Sequence, residues 1–260
     1  MIERGFLDRA LEVARNAADA GAKEIAKFYR RAAAVEWKAD ATPVTVADRD
    51  AERAIRLVLG AAFPDHAVYG EEEGGERADA EFLWLVDPLD GTRAFVRDYP
   101  LFSTQIALRV RGELVLGVSH APLFGESAWA VRGGGAFLNG ERVRVGAPTS
   151  LARAQLSFGN LKSLAGDAAR WGRLAGLLIA AERTRGYGDF YHYHLLARGA
   201  VDAVIESDVN ILDIAALSVI VTEAGGVFTC LEGGPIDLAT GSVLASVPSL
   251  HAQLLNTLRS

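Results

Sequence analysis

The sequence predicts an α/β protein whose N-terminal half is α+β. Three observations carry this. Two amphipathic helical patterns open the chain, short apolar runs bounded by Gly, Pro or charge follow from Phe82, and extended and helical patterns alternate after Ser150. The chain has 260 residues, of which 50% are hydrophobic and 23% charged, enough to bury a full core and near the upper end for one domain. Two tightly packed halves are expected, residues 1–148 and 149–260, with no linker long enough to separate them.

From Arg4 to Arg31 the apolar positions Phe6, Leu7, Ala10, Leu11, Ala14, Ala17, Ala18, Ala22, Ile25 and Phe28 recur at helical spacing. After the polar stretch Lys38 to Pro43, a second helix is expected over Val46 to Ala62, with Thr45 as N-cap, Asp48 three residues on, and Pro64 as its stop. FLWLV, STQIALRV, ELVLGVSHAP and SAWAVR then read as strands. Asn139-Gly140 between short extended runs marks a hairpin turn. In the second half QLSFGN reads as a strand, ARWGRLAGLLIAA as a helix, TRGYGD as extended and YHYHLLARG as a helix. VDAVIES then reads as a strand, LDIAALSVIVTEAGG as a helix and GVFTC as a strand.

A formal charge of −6 argues against a nucleic-acid or anionic-membrane surface, which clustered Lys and Arg would mark. The single Cys230 allows no internal disulfide and no thiolate metal site, and reads as a small core residue. The start MIERGFLDRA is charged where a signal peptide needs an apolar stretch, and no apolar run of about eighteen residues occurs. The expectation is a soluble, cytoplasmic protein.

The most informative segment is Phe82 to Thr92. Five apolar residues form a buried strand, so Asp87 emerges at its carboxyl end, where α/β sheets place ligands. Pro88 breaks the ladder, and the turn brings Asp90 back beside Asp87. Two carboxylates that close repel unless a cation lies between them. Gly91 and Thr92 add backbone N–H groups suited to a phosphate. The plain alternative is a polar turn. Two more acidic sites weigh against it: Glu71 to Glu73 after the short strand Ala67 to Gly70, and Asp213 near the start of an apolar helix. Alone, these would read as a solvated loop and a helix cap.

The pieces FPDHAVYGEE, WLVDPLDGTRAF, GGGAFLNGERVRV and LDIAALSVIVTEAGGV, with Lys38 spaced ahead of Asp48, resemble the inositol monophosphatase superfamily over essentially the whole chain. One departure is Leu212, where the family pattern carries Trp. The resemblance implies a layered αβαβα sandwich working as one catalytic unit, and a homodimer. It implies hydrolysis of a small phosphate monoester by a Mg2+-activated water, with two or three ions. Glu71, Asp87, Asp90, Asp213 and the Leu89 carbonyl would be metal ligands. Glu71 and Thr92 would flank the attacking water with Asp48 in support, and Gly91 and Thr92 would hold phosphate oxygens.

The stretch Arg183 to His194 looks like the signature of the histidinol-phosphatase members. It implies L-histidinol phosphate as substrate, a step of histidine biosynthesis, with inositol 1-phosphate or a related sugar or nucleotide phosphate as the alternative. A cationic alcohol calls for carboxylates, for which Asp189 and Glu206 are candidates, with Arg185 beside them and Asn210 as a hydrogen-bond partner. Asp189 otherwise reads as an N-cap and Glu206 as a surface charge. His192 and His194, two apart on a helix, face different ways and make a poor metal pair. An aspartyl-phosphate mechanism of the haloacid-dehalogenase kind needs two acids one residue apart, whereas Asp87 and Asp90 have two residues between them. A non-catalytic protein of the same fold should lack a ligand, and all four carboxylates are present.

Overall fold

The computed structural model describes residues 2–31, 35–37, 43–75 and 79–259, with the side chains of 35–37 and 43–45 left outside that set. Lys38 and the Thr45 cap therefore lie outside the described residues.

Helix α1 (Arg4–Ala26) opens the chain. It stops five residues before the expected Arg31, and Arg30 takes a left-handed φ of 56°. The turn leaves Tyr29 free to pack on Phe95 and Phe102, with ring centroids at 5.8 and 5.3 Å. Strands β1 (Val35–Trp37) and β2 (Pro43–Thr45) pair antiparallel, and α2 runs over Val46–Ala62 as expected. Buried Ala10, Ala14, Ala17 and Ala18 let α1 lie close to its neighbours. At Gly21 even a Cβ would come within 2.9 Å of Ile55.

Strands β3 (Ala67–Gly70) and β4 (Phe82–Asp90), the single-turn α3 (Thr92–Phe95), and strands β5 (Ser103–Val110), β6 (Glu113–Ala121), β7 (Glu126–Val131), β8 (Gly135–Leu138) and β9 (Glu141–Val143) follow. The strands form a seven-stranded sheet in chain order, antiparallel except for the β3–β4 pair. Asn139 and Gly140, at φ 51° and 87°, close the β8–β9 hairpin with the two left-handed residues that a type I′ turn needs.

The second half supplies β10 (Gln155–Gly159), α4 (Lys162–Gly166), α5 (Ala168–Ala180), β11 (Arg183–Arg185), α6 (Asp189–Ala197), β12 (Ala203–Ser207) and α7 (Ile211–Glu223). Strands β13 (Val227–Cys230) and β14 (Ser242–Ser246) and helix α8 (Pro248–Arg259) complete it. Its five strands are ordered β11-β10-β12-β14-β13. Elements α4, β14 and α8 are additions to the pattern expected from the sequence. Strand β14 lies between β12 and β13 and is buried on both faces, so no alternation marks it. Cys230 is half-buried, because β13 is an edge strand.

The layers stack as αβαβα. Helices α1 and α2 pack on one face of the seven-stranded sheet through Leu7, Ile55 and Leu59 against Trp84, Val86 and Ile106. Helices α6 and α7 fill the space between the two sheets, and α5 and α8 cover the far face of the smaller one. Helix α7 is buried nearly all round, as its continuous apolar sequence requires. Its amino end reaches the carboxyl end of β4, and that meeting point builds the site.

Candidate active site

In a regular strand Asp87 and Asp90, three apart, would face opposite sides of the sheet. The register prevents this: Asp87 pairs with Gln105 and Asp90 with Ser103, so β4 holds one extra residue in a bulge at Pro88 and Leu89. Both carboxylates thus turn to one side, 2% and 8% exposed. Asp213 joins them from the first turn of α7, and oxygens of the three lie within 4.8 Å of one another. Asp213 is also the capping residue that its position suggests: its carboxylate accepts from Asn210 N at 2.9 Å and Asn210 Nδ2 at 2.7 Å. Capping leaves the carboxylate directed at the cluster.

Charge is crowded here. Burial, then Glu71, Asp90 and Asp213, push the Asp87 carboxyl well above the usual range. Burial, then Asp189, Asp213 and Glu206, do the same to Asp90. Asp213 is raised to about 7 by burial, despite the Asn210 hydrogen bonds, with Glu71 and Glu206 adding to the rise. Two buried carboxylates and a half-buried third that cannot all ionise alone, presenting only hard oxygen atoms, form the donor set a divalent cation such as Mg2+ takes. The residues fit the metal that the sequence implies.

Glu71 stands in the loop after β3, and its charge reaches Asp87 and Asp213. The sequence reading missed what holds that loop. Fully buried Glu52 on α2 accepts from Glu72 N at 2.7 Å and Glu73 N at 3.2 Å. Arg56 pairs with Glu52 at 2.8 Å and donates to the Gly74 carbonyl at 2.6 Å. Gly70 is required because a Cβ there would lie 2.1 Å from Glu52 Oε1. Across the cluster, the Thr92 hydroxyl lies 3.1 Å from Asp48 Oδ1 and 3.0 Å from the Leu89 carbonyl. Gly91, at φ 89°, caps α3 and leaves the Gly91 and Thr92 N–H groups at its amino end.

Beside the cluster, Asp90 and Asp213 share a cleft with Asn160, Asp189, Tyr193 and Glu206. Glu206 is 2% exposed and so is not a surface charge. Its carboxylate accepts from Tyr193 Oη at 2.7 Å and Asn160 Nδ2 at 3.3 Å, with His192 Nε2 at 3.1 Å. Gly159 pairs with Glu206 in register, and a Cβ there would meet Glu206 Oε1 at 2.3 Å. Asp189 is the first residue of α6, not its cap, which is Gly188. It holds a left-handed φ of 45°, strained for a residue with a side chain. Its pKa is raised to about 6 by burial and by Glu206, with His192 opposing. His192 and His194 are both buried and point to different partners, Glu206 and Glu126. Two expected residues stand elsewhere. Arg185 is exposed on edge strand β11, donating to the Thr184 carbonyl, and Asn210 uses its amide to cap α7.

A model of the inositol monophosphatase family matches residues 7–260. The chain belongs to the inositol monophosphatase family. The histidinol-phosphatase of Mycobacterium tuberculosis (strain ATCC 25618 / H37Rv) is 41% identical over 233 residues, spanning 87% of this chain and 88% of that protein. The histidinol-phosphatase of Streptomyces coelicolor is 38% identical over 267 residues, with 97% of each chain covered. Among solved structures, the extragenic suppressor protein suhB of Bartonella henselae superposes with a TM-score of 0.89 at 30% identity, over 97% of this chain and 99% of that one. This inositol monophosphatase family member is a phosphoric monoester hydrolase. No helix among its described residues is long and apolar enough to cross a membrane.

Proposed function

We propose that this phosphatase converts L-histidinol phosphate to L-histidinol and inorganic phosphate, with Mg2+ as its cofactor. The observation that carries the reading is that Asp189 and Glu206, two carboxylates outside the acidic cluster, line the same cleft as Asp90 and Asp213. A substrate with a phosphate at one end and an ammonium at the other matches that division. A polyol phosphate offers the second pair of carboxylates no charge to meet.

In this reading Glu71, Asp87, Asp90, Asp213 and the Leu89 carbonyl hold two or three ions. When bound, Mg2+ supplies charge neutralisation for the ester oxygens and a lowered pKa for its water. The Thr92 hydroxyl donates to Asp48 and turns a lone pair outward, which orients the attacking water. Glu71 takes the water's proton. The N–H groups of Gly91 and Thr92 bind phosphate oxygens, where developing charge most needs fixed donors. Asp189 and Glu206 pair with the ammonium, and Tyr193 and Asn160 keep Glu206 aimed at the cleft. Residues 1–148 supply most of the proposed ligands and 149–260 supply Asp213 and the alcohol side, so the two halves act as one catalytic unit. A cytoplasmic location and a homodimer belong to the same reading, on the family resemblance.

The test is phosphate release from histidinol phosphate, inositol 1-phosphate, fructose 1,6-bisphosphate and adenosine 3',5'-bisphosphate, each with and without Mg2+. Histidinol phosphate should give the highest kcat/KM, and only with Mg2+. A preference for inositol 1-phosphate would overturn the substrate and leave the phosphatase standing.

A further inference from the structure

A polar path crosses the core from Asp90 to the surface. Asp90 Oδ2 lies 3.1 Å from the Ser103 hydroxyl and 3.5 Å from Gln105 Nε2. Gln105 Nε2 lies 2.7 Å from Ser103 Oγ and 3.0 Å from Ser119 Oγ on β6. Ser119 Oγ is 2.8 Å from His194 Nε2 on α6, and His194 Nδ1 is 2.9 Å from Glu126 Oε2 at the start of β7. Glu126 Oε1 accepts from Arg198 at 2.8 Å. Ser103, Gln105, Ser119 and His194 are all at most 1% exposed.

The donors fit this path in one direction only. Glu126 accepts, so a neutral His194 carries its hydrogen on Nδ1 and leaves Nε2 as acceptor. The Ser119 hydroxyl then donates to His194 and offers its lone pairs to Gln105. One Gln105 N–H goes to Ser119 and the other toward Ser103 and Asp90, which leaves the Ser103 hydroxyl to donate to Asp90. Holding the amide this way leaves Gln105 Oε1 buried without a partner among the described residues. A Leu would fill similar space with no such penalty. Its N–H groups are what Gln105 contributes at this position.

We infer that Gln105, Ser119 and His194 are positioning residues that orient the Asp90 carboxylate for metal binding. Helix α6, whose Asp189 and Tyr193 line the cleft, thereby also supports the metal side through His194. Partners behind a metal ligand typically contribute tenfold or more to affinity by fixing its direction. The inference rests on Asp90 being a metal ligand, and the experiment separates the two.

Mn2+ binding to the metal-stripped full chain is measured by electron paramagnetic resonance for wild type, Gln105→Leu, Ser119→Ala and the double variant, with the melting temperature of each metal-free protein. Gln105→Leu should raise the Mn2+ Kd about tenfold. Ser119→Ala should raise it about threefold, with no added effect in the double variant, as members of one path require. A merely structural role would lower the melting temperature and leave the Kd alone. Wild-type affinity in folded Gln105→Leu overturns the inference, and Ser119→Ala decides it in the same way if Gln105→Leu does not fold. Absence of Mn2+ binding by wild type would overturn the metal reading and the inference together.

Discussion

Replacing Asp189 with Asn removes a charge from the cleft with little change in shape, and the structure gives that change unequal consequences for two substrates. Truncating one partner of a buried charge pair costs on the order of 2 to 5 kcal/mol. Asp189 is half-buried, and Glu206 remains as a second carboxylate, which brings the loss to the bottom of that range or just below it. About 1.4 to 2 kcal/mol corresponds to a fall of roughly 10- to 30-fold in kcat/KM for histidinol phosphate. Asp189 is also the foremost like charge acting on Asp90, so its removal relieves the acidic cluster. The same charge also attracts the cation, so the Mg2+ concentration for half-maximal activity should hold or rise in Asp189→Asn, and turnover of inositol 1-phosphate at saturating Mg2+ should hold. With the Asp189 pKa raised to about 6, the comparison belongs at about pH 8, where wild-type Asp189 is ionised. Phosphate release measured for both esters across a Mg2+ series reads all three effects. Equal losses for both substrates would make Asp189 a structural residue and not a selective one.

Four further outcomes are expected. Asp213 and Asp189 have folded pKa values of about 7 and about 6, above those of an unfolded chain, so the folded state binds more protons. Metal-free protein should therefore melt higher at about pH 5.5 than at about pH 8, the contribution being lost as pH rises through 6 to 7. At about pH 8, Mg2+ at a hundred times its Kd should restore about 2.7 kcal/mol, about 5 °C in a thermal melt, and an unchanged Tm would count against a metal-requiring cluster. Gly91→Ala should cost about 1 to 3 kcal/mol by chemical denaturation and lower kcat, because a Cβ would meet the Leu101 carbonyl at 2.6 Å in a left-handed backbone. Acid quenching of single-turnover reactions with labelled substrate should trap no phosphoprotein, whereas stoichiometric label on Asp87 would establish an aspartyl-phosphate mechanism.

The acidic cluster was legible because its signal is local. The sequence predicts a turn at Pro88, whereas β4 runs on to Asp90 through a bulge that brings the two carboxylates together all the same, and the apolar run after Asp213 fixes it to a helix start. Helix α2 was legible to the residue, since its periodicity and the Pro64 stop agree. What the sequence hid depends on contacts between distant segments. Glu52 and Arg56 look like an exposed i,i+4 pair until the Glu71 loop folds over them. Glu206 was found by its charge, but its burial follows from the match of Gly159 on β10 to its own strand. The path through Gln105, Ser119 and His194 draws on two strands and a helix, and no spacing in the chain joins them. Arg185 shows the converse: a motif residue whose place on an edge strand keeps it out of the cleft.

In the proposed reading, the cluster of Asp87, Asp90 and Asp213 serves catalysis by holding divalent cations. Asp90→Asn puts this to the test, with Mn2+ binding, circular dichroism and phosphate release measured on one preparation. The variant should fold like wild type and lose high-affinity Mn2+ binding and turnover together. Normal turnover by folded Asp90→Asn would contradict that reading.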